Sequence, residues 1–540
     1  MADPNSNLAA VALAGTGASA DLPDTLPELT ARAAARWPER TGLIFDASGE
    51  RLSFGDIERR SNAIANALAG LGIAPGDTVG VMLRNVPAFP LTWLALQKAG
   101  ATMVPLNIFY KHDDASYLLA HSEAKAVVTA DEFVPLMVDI AGSGGPAPLV
   151  ISVDGDASGR ARSLAELATD ETPPALAPDP GRLANIQYTS GTTGRPKGCM
   201  LSNSYWVAVA RKIVAFGAIG EDDVMLTAQP FYYMDPQWNV ACALVAGCPL
   251  VVLDRFHPTT FWNKARAHGV TWFYCLGTMP LMMLNTPRQS SDTDNQVRMV
   301  MCSAIPPGRH AEIEARWGAP WLEAFGMTET GGDLAVSMDE HDELVGSGSL
   351  GRPMPDREAR AVDDDDADVP DGAVGELVLR GPNMMDGYFK NEEATAALFR
   401  GGWLHTGDLV KRDAAGRFYY VGRKKEMIRR SGENISAAEV EETIASHPAV
   451  RMAACVPVPD DIRGEEVKAY VVLRDGAAAE PAELNAHCAD RLAYFKVPRY
   501  WTFVDDLPRT PSERIAKHIL VGGVDDLRAG AWDRVDEVRR

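Results

Sequence analysis

The sequence predicts an α/β protein with a large N-terminal domain of two α/β layers plus a small β-barrel, followed by a small mobile α+β domain. Apolar runs alternate with helical stretches as far as about residue 350, and short strands and turns replace them from Gly351. After Arg423 the pattern of helix and strand signals changes again. Such alternation is typical of parallel sheets with helices on both faces.

The first layer begins near residue 51, where Ser53 is a suitable N-cap for a helix. The strands expected in the two layers are the runs Thr78–Leu83, Ala101–Leu106, Ala124–Thr129, Pro249–Leu253, Val270–Cys275 and Val297–Cys302. A proline-rich segment, Thr172–Pro180, separates the two series.

The chain of 540 residues is too long for one hydrophobic core. We predict a flexible tail over residues 1–22, an N-terminal domain over 23–423 and a C-terminal domain over 424–540. The tail lacks the basic and apolar regions of a signal peptide. Because the sequence has no uninterrupted apolar stretch of 18 residues, we expect no membrane span.

Composition restricts the class of ligand. A net charge of -21 argues against nucleic acid and anionic membranes as partners, because both require a basic surface. The seven cysteines are scattered in apolar runs, which favours free thiols and a cytoplasmic location. No CxxC or HExxH pattern occurs, so the sequence does not indicate zinc.

The strongest local motif is Tyr188–Gly198, in which six Gly, Ser or Thr residues precede Arg-Pro-Lys. Such a loop lets phosphate oxygens approach backbone N–H groups, and Lys197 adds positive charge. A flexible linker is the alternative, but linkers do not end in Arg-Pro-Lys-Gly before an apolar run. The motif is not a GxxxxGK[ST] P-loop.

This motif resembles the phosphate loop of the AMP-forming adenylating superfamily, which includes acyl-CoA synthetases, luciferases and the adenylation domains of peptide synthetases. The resemblance extends from about residue 25 to 520 and is strongest to ligases of the carnitine and crotonobetaine type. It implies that ATP phosphates are bound by Lys197 and by Thr189, Ser190, Gly191, Thr192, Thr193 and Gly194.

Two further motifs follow in the order of that family. Within Phe325-Gly-Met-Thr-Glu-Thr330, the resemblance implies that Thr328 contacts the α-phosphate and that Glu329 holds Mg2+, which prefers hard oxygen ligands. Asp408 and Arg423 resemble the pair that binds the ribose hydroxyls.

The resemblance also assigns roles in the C-terminal domain. Lys425 would lie at the hinge about which this domain swings between an adenylating and a transferring pose. Gly432 would line the channel for the second substrate.

One motif offers a competing fold. Gly346-Ser-Gly-Ser-Leu-Gly351 matches the GxGxxG fingerprint of a Rossmann fold, but no strand precedes it, and Arg352-Pro-Met-Pro355 cannot open a regular helix. The motif resembles instead the Gly-Arg-Pro segment of the adenylating superfamily, which leads into the small barrel.

The sequence departs from the family near its C-terminus. Arg514 stands where the family has the lysine that bridges the acid and the α-phosphate, and Glu513 replaces a glycine. Arginine keeps the charge but is planar and bidentate. Three alternatives are open: Arg514 acts, Lys517 acts one turn later, or adenylation depends less on this domain.

A second departure concerns the acid pocket, where Tyr233 replaces a histidine and Asp235 an asparagine. An acidic residue there repels a carboxylate substrate unless it is paired, protonated, or recognises a cationic or amine group; a harmless aromatic wall is the alternative. The expected pocket residues are Tyr233, Asp235, Gln237, Gly277, Gly326 and Met327.

The leading hypothesis is an AMP-forming acid:CoA ligase that uses ATP and Mg2+, with CoA as the expected co-substrate. One alternative is a diazotase that activates nitrite and acts on an amino-aryl acid, and another is a non-catalytic nucleotide-binding relative. The expected partners are a small-molecule acid and an acceptor. The sequence leaves the oligomeric state open, a homodimer included.

Overall fold

The computed structural model describes residues 22–142, 148–155, 159–189, 196–277, 279–430, 433–460, 463–509, 515–522, 524, 526–536 and 538–539. The predicted site residues outside these ranges are Ser190, Gly191, Thr192, Thr193, Gly194, Gly432 and Arg514, and the predicted tail lies outside them up to residue 21. The chain forms two compact units, which we call the N-terminal unit, up to Glu358 with Gly381–Ala397, and the C-terminal unit, Ala359–Arg380 with Leu398–Arg540.

The first sheet of the N-terminal unit has seven strands. Their spatial order is Arg162–Ser163, Leu149–Ser152, Ala126–Thr129, Thr78–Met82, Thr102–Pro105, Leu183–Thr189 and Lys197–Ser202. All neighbours are parallel except the last pair, which forms an antiparallel hairpin. This hairpin places the two ends of the Gly/Ser/Thr-rich loop beside each other.

The second sheet of this unit is parallel at its centre and antiparallel at its ends. Its strands in spatial order are Arg51–Ser53, Thr41–Phe45, Leu250–Val252, Met225–Thr227, Trp272–Leu276, Met299–Ser303, Trp321–Met327, Gly331–Ala335 and Ser349–Pro353. The GxGxxG segment therefore runs into a strand, which agrees with its exclusion as a Rossmann motif.

Helices pack against these sheets. In the N-terminal unit they are Leu26–Arg36, Phe54–Gly70, Ala88–Ala99, His112–His121, Val134–Gly142, Leu164–Leu167, Asn203–Phe216, Met234–Ala246, Phe261–Ala267, Met279–Leu284, His310–Trp317, His341–Leu344 and Glu392–Leu398. Ser53 caps its helix as predicted, since its hydroxyl accepts from the Asp56 amide and the Asp56 carboxylate accepts from the Ser53 amide. One core is dominated by the aromatic rings of Trp262, Phe273 and Trp317.

The C-terminal unit begins with a run of paired strands, which are Glu358–Val362, Val374–Arg380, Leu404–Arg412 and Phe418–Arg423. The second sheet of this unit contains Glu433–Ser436, Met427–Arg430, Gly464–Leu473, Tyr500–Phe503, Trp532–Asp533 and Val538–Arg539, with Val450–Asp460 also on Gly464–Leu473. Its helices are Ala437–Ala445, Pro481–Ala489 and Lys517–Val521. Closure of a barrel and a domain boundary after Arg423 stay predictions.

The predicted α/β class, with a large N-terminal and a smaller C-terminal part, is confirmed. All seven cysteines are free and buried. Across the residues that the structure describes, no helix has both the length and the apolar character needed to cross a membrane.

Candidate active site

The phosphate-loop motif is a hairpin whose flanks are described. Thr189 pairs with Lys197, and Tyr188 pairs with Gly198, in antiparallel register. A side chain at Gly198 would come within 2.5 Å of Ile186, so this strand position has room only for glycine. Lys197, the first residue of the returning strand, is thereby held at the mouth of the loop.

A second segment, Met385–Phe389, runs along the outer edge of that returning strand. The Phe389 amide donates to the Gly198 carbonyl at 2.8 Å, and the Met200 amide donates to the Gly387 carbonyl at 2.9 Å. The pairing places the Tyr388 ring beside Lys197, whose Nζ lies 4.9 Å from the ring centroid. A cation at this distance from an aromatic face is attracted by the ring quadrupole.

Thr328 and Glu329 lie in the turn between the strands Trp321–Met327 and Gly331–Ala335. The turn is tight, because a side chain at Gly326 would come within 2.0 Å of the Gly331 carbonyl oxygen. Met327, half-buried, pairs with Gly331 across the hairpin. The Thr328 carbonyl accepts a hydrogen bond from the hydroxyl of Tyr205 at 2.9 Å.

A buried ion pair stabilises this turn. Arg357 Nε lies 2.9 Å from Asp333 Oδ1, and both side chains are almost fully buried. Another guanidinium nitrogen of Arg357 donates to the Thr330 carbonyl at 2.6 Å. The Thr330 hydroxyl also donates to Asp333, so the backbone that carries Glu329 is fixed by charge-assisted hydrogen bonds.

The Glu329 carboxylate is only 8% exposed and accepts a hydrogen bond from the Tyr388 hydroxyl at 2.9 Å. Burial, and then the negative charge of Glu329, raises the pKa of the Tyr388 phenol, so the hydroxyl stays protonated and donates. Lys197, Tyr388 and Glu329 thus form one cluster. Tyr388 is not among the residues predicted from the sequence, because a contact between residues 59 positions apart leaves no signal in local spacing.

The predicted acid-pocket residues lie on several elements of the N-terminal unit. Tyr233 is the N-cap residue of the helix Met234–Ala246, and Asp235 lies in its first turn. Gln237 is fully buried, and its amide donates to the Phe231 carbonyl at 2.9 Å. Gly277 is exposed at φ +60, and a side chain there would meet no atom within 4 Å.

Asp235 faces an aromatic neighbourhood. Burial, and then the charge of Asp235, raises the pKa of the Tyr274 phenol far above its usual range. The Tyr274 hydroxyl donates to Ser303 Oγ at 2.9 Å, and its ring makes an edge contact with Trp238 at 5.3 Å. The Asp235 carboxylate is therefore close enough to Tyr274 to act on its phenol electrostatically.

In the C-terminal unit, Asp408 and Arg423 are partners across two antiparallel strands. Arg423 Nε lies 2.6 Å from Asp408 Oδ1, and the Asp408 side chain is 1% exposed. Burial alone would lower the pKa of Arg423, but the charge of Asp408 outweighs it and the pKa is raised. The two residues that the resemblance assigns to ribose binding are thus brought together.

Lys517 is held by two carboxylates of the same unit. Its Nζ lies 2.8 Å from Glu426 Oε2 and 2.8 Å from Glu441 Oε1, and the side chain is 17% exposed. Burial opposes the charge of Lys517, but both glutamates raise its pKa above the usual range. Glu426 ends the short helical turn that contains Lys425, whose side chain lies outside the described structure, so the hinge role of Lys425 stays a prediction.

A separate cluster in the N-terminal unit contains His310, Glu314 and His341, whose ligand atoms lie within 4.8 Å of one another. The Gly346 amide donates to His310 Nδ1 at 3.2 Å, so Nε2 of that ring carries its proton and donates to the Trp321 carbonyl at 2.9 Å. His341 Nε2 donates to Glu314 at 2.6 Å. These bonds occupy the atoms that a metal would need, and we interpret the cluster as a hydrogen-bond network.

The fold and these motifs define the class of protein. The sequence matches the AMP-binding enzyme family over residues 30–389 and the C-terminal domain of AMP-binding enzymes over residues 439–514. The chain belongs to this family and is an ATP-dependent, AMP-forming ligase.

The chain is also similar to individual ligases over most of its length. A sulfoacetate–CoA ligase of Cupriavidus necator is 35% identical over 498 residues, covering 92% of this chain and 97% of the relative. A crotonobetaine/carnitine–CoA ligase of Salmonella paratyphi A is 32% identical and covers 89% of this chain and 96% of the relative. The crystal structure of ATP-bound MatB from Rhodopseudomonas palustris superimposes with a TM-score of 0.84 at 29% identity, covering 92% and 98% of the two chains.

Proposed function

We propose that this protein activates a small carboxylic acid with ATP and transfers the acyl group to CoA. In the first step an oxygen of the acid attacks the α-phosphorus of ATP, and pyrophosphate leaves. In the second step the thiol of CoA attacks the carbonyl carbon of the acyl adenylate, and AMP leaves. The relatives that are named CoA ligases support this acceptor.

The observation that carries the proposal is the cluster of Lys197, Tyr388 and Glu329 beside the Gly/Ser/Thr-rich hairpin. It provides an ammonium group for the phosphates and a nearly buried carboxylate within one compact site. Catalysis of adenylyl transfer depends mainly on positioning and on charge stabilisation. No nucleophilic side chain is required, and the buried thiol of Cys199, whose pKa burial raises, is unsuited to that role.

The donor set fits Mg2+. The Glu329 carboxylate and the Thr328 hydroxyl offer hard oxygen atoms, and Mg2+ is usually bound through one or two carboxylates together with substrate phosphates. When bound, the ion would offset the negative charge of the phosphates. Thr189 and Lys197 would contact those phosphates from the hairpin.

In the C-terminal unit, we assign Asp408 and Arg423 to the ribose hydroxyls. For the cation that bridges acid and α-phosphate, we propose Arg514. The contacts of Lys517 support this choice, because two glutamates already share its ammonium group at 2.8 Å each. A direct double ion pair costs a lysine much of its capacity to bind a further anion.

We infer that the charge of Asp235 influences which acid is bound. A plain carboxylate would be repelled by the charge of this residue, which also acts on Tyr274, whereas an acid that carries an ammonium or amino group would be attracted to it. We therefore propose an amino- or ammonium-bearing acid as the preferred substrate class.

The overall reaction is tested by incubating the protein with ATP, Mg2+, CoA and a panel of acids. We expect AMP and pyrophosphate in equal amounts, together with a thioester. ADP and phosphate as primary products would refute the proposal. Omission of CoA should stop turnover after the adenylate, while exchange of pyrophosphate into ATP continues.

The Asp235→Asn variant tests how Asp235 selects the acid, and nitrite tests the acceptor. For a plain acid with CoA, this change should preserve or raise the rate of AMP release, because it removes like-charge repulsion. For an amino-bearing acid it should lower that rate. Nitrite-dependent AMP release with an amino-aryl acid and no thioester from any acid would instead identify a diazotase, with Asp235 holding the aryl amine.

A further inference from the structure

The Tyr388 side chain lies between two groups of opposite charge. Its hydroxyl donates to Glu329 Oε1 at 2.9 Å, and the Nζ of Lys197 lies 4.9 Å from the centroid of its ring. Both Tyr388 and Glu329 are 8% exposed, so solvent contributes little to holding them in place. A single ring therefore contacts both charged members of the site.

The backbone around Tyr388 is fixed from three directions. The Met385 amide donates to the carbonyl of Glu329 at 2.9 Å, which connects the segment to the turn that carries this residue. The amide of Tyr388 donates to the hydroxyl of Thr395 at 2.9 Å. At Gly387, with φ +135, a side chain would come within 2.7 Å of Thr395, so this close approach requires glycine.

The arrangement keeps opposite charges apart. A lysine and a glutamate that meet directly form an ion pair, and each then loses capacity for an outside partner. Within the described residues, no ion pair joins Lys197 to Glu329 within 4.0 Å, although both contact the same ring. The ring attracts the ammonium group through its face, and the hydroxyl satisfies one carboxylate oxygen without neutralising it.

We propose that Tyr388 is a positioning residue that orients the Glu329 carboxylate for Mg2+ and separates it from Lys197, leaving the ammonium free for phosphate. The proposal rests on the function proposed above for this site. It assigns the two tasks to different parts of one side chain: the hydroxyl serves Glu329, and the ring serves Lys197.

Two substitutions separate these tasks. Tyr388→Phe keeps the ring and removes the hydroxyl, so the ATP affinity measured without Mg2+ should stay unchanged. The gain in ATP affinity on adding Mg2+ should fall by about tenfold, which is the lower end of the effect of removing a group that orients a metal ligand. Tyr388→Leu removes both, so Lys197 can pair with Glu329, and the affinity for ATP without Mg2+ should fall as well.

The measurement is calorimetric titration of the full chain with ATP, in the presence and absence of Mg2+, alongside exchange of pyrophosphate into ATP. The matched control is Tyr419→Phe, which removes a tyrosine hydroxyl that contacts the Asp413 carboxylate at 3.1 Å in the C-terminal unit, and which should change neither affinity. Melting curves show whether each variant is folded.

The outcomes separate the two proposals. If Tyr388→Phe keeps the full gain in affinity on adding Mg2+, or if Tyr388→Leu matches wild type without Mg2+, the role of Tyr388 is refuted. If both variants behave as expected but the wild type exchanges no pyrophosphate with any acid, the positioning role stands and the proposed reaction fails.

Discussion

Two lysine sites, one in each unit, hold their charged groups in opposite ways. In the N-terminal unit, Lys197 and Glu329 contact a neutral phenol between them. In the C-terminal unit, Lys517 contacts Glu426 and Glu441 directly, at 2.8 Å each. A charge held by a neutral partner remains available to a ligand, whereas a directly paired charge is already partly neutralised, and removing its partner leaves it uncompensated.

The largest expected effect is on stability. Lys517→Ala leaves Glu441, whose side chain is 18% exposed and which also accepts the Cys455 amide at 2.6 Å, as a partly buried carboxylate without its cation. Leaving a partly buried charged group without its partner costs about 1–3 kcal/mol, so the free energy of unfolding should fall by that amount in urea denaturation. The control is Lys496→Ala, which breaks a more exposed pair with Glu439 and should cost less than about 1 kcal/mol.

The Lys517→Ala variant also tests which residue supplies the cation that bridges the acid and the α-phosphate. Arg514→Ala should slow adenylation more than Lys517→Ala does, when both are measured by pyrophosphate exchange under conditions where both are folded. The reverse ranking would move the role to Lys517 and would show that a directly paired lysine can still serve the substrate.

The next effect is catalytic. Glu329→Gln should slow adenylation by about tenfold or more, because it removes a preorganised charge where the leaving phosphates need compensation, while the melting temperature changes little. Pyrophosphate exchange measures the rate. Glu312→Gln, at a half-exposed glutamate 2.6 Å from Arg309, is the control and should behave as wild type. An unchanged rate in Glu329→Gln would make the site assignment wrong.

Asp408 combines both behaviours, because it is paired and is also assigned to a ligand. Asp408→Ala should raise the KM for ATP by about tenfold, the value of a hydrogen bond to a charged group, before it lowers kcat. Steady-state kinetics over a range of ATP concentrations separates the two parameters. A loss confined to kcat would contradict the ribose assignment.

The smallest effect concerns a direct pair in the N-terminal unit, His341 with Glu314. Burial alone would lower the pKa of His341, but the charges of Glu314 and Asp342 outweigh burial, and the pKa is raised. Burial alone would raise the pKa of Glu314, but its hydrogen bonds to His310, to the Trp321 amide and to His341 outweigh burial, and the pKa is lowered. A raised histidine pKa stabilises the fold fully below the unfolded value near pH 6.5, and this stability is lost as pH rises through the folded pKa.

We therefore expect this residue to lower the free energy of unfolding as the pH rises from 6 to 8. Urea titrations at both pH values should show a smaller fall in His341→Gln. His257→Gln, at a surface histidine 41% exposed, serves as control and should keep the wild-type difference. Equal pH dependence in His341→Gln and wild type would show that the pair is not structural.

Much of the fold could be predicted because local patterns carry it. The runs Thr78–Leu83 and Val297–Cys302 fall on the strands Thr78–Met82 and Met299–Ser303, and Ser53 is the N-cap that the sequence indicated. Burial on both faces of a parallel strand requires a continuous apolar run, which is visible without any neighbour. Lys197 and Glu329 could be selected for the same reason, as each lies within a short motif.

The sequence by itself determined the class of protein, the order of its motifs and the type of chemistry, since each of these depends on residue types at short spacing. Only the tertiary structure decided which charges meet. Tyr388 contacts Glu329 because the segment Met385–Phe389 pairs with the strand after the phosphate loop. Lys517 contacts Glu426 and Glu441, which are distant from it in the sequence. Contacts of this kind depend on long-range strand pairing, for which neighbouring residues in the sequence carry no periodicity or spacing.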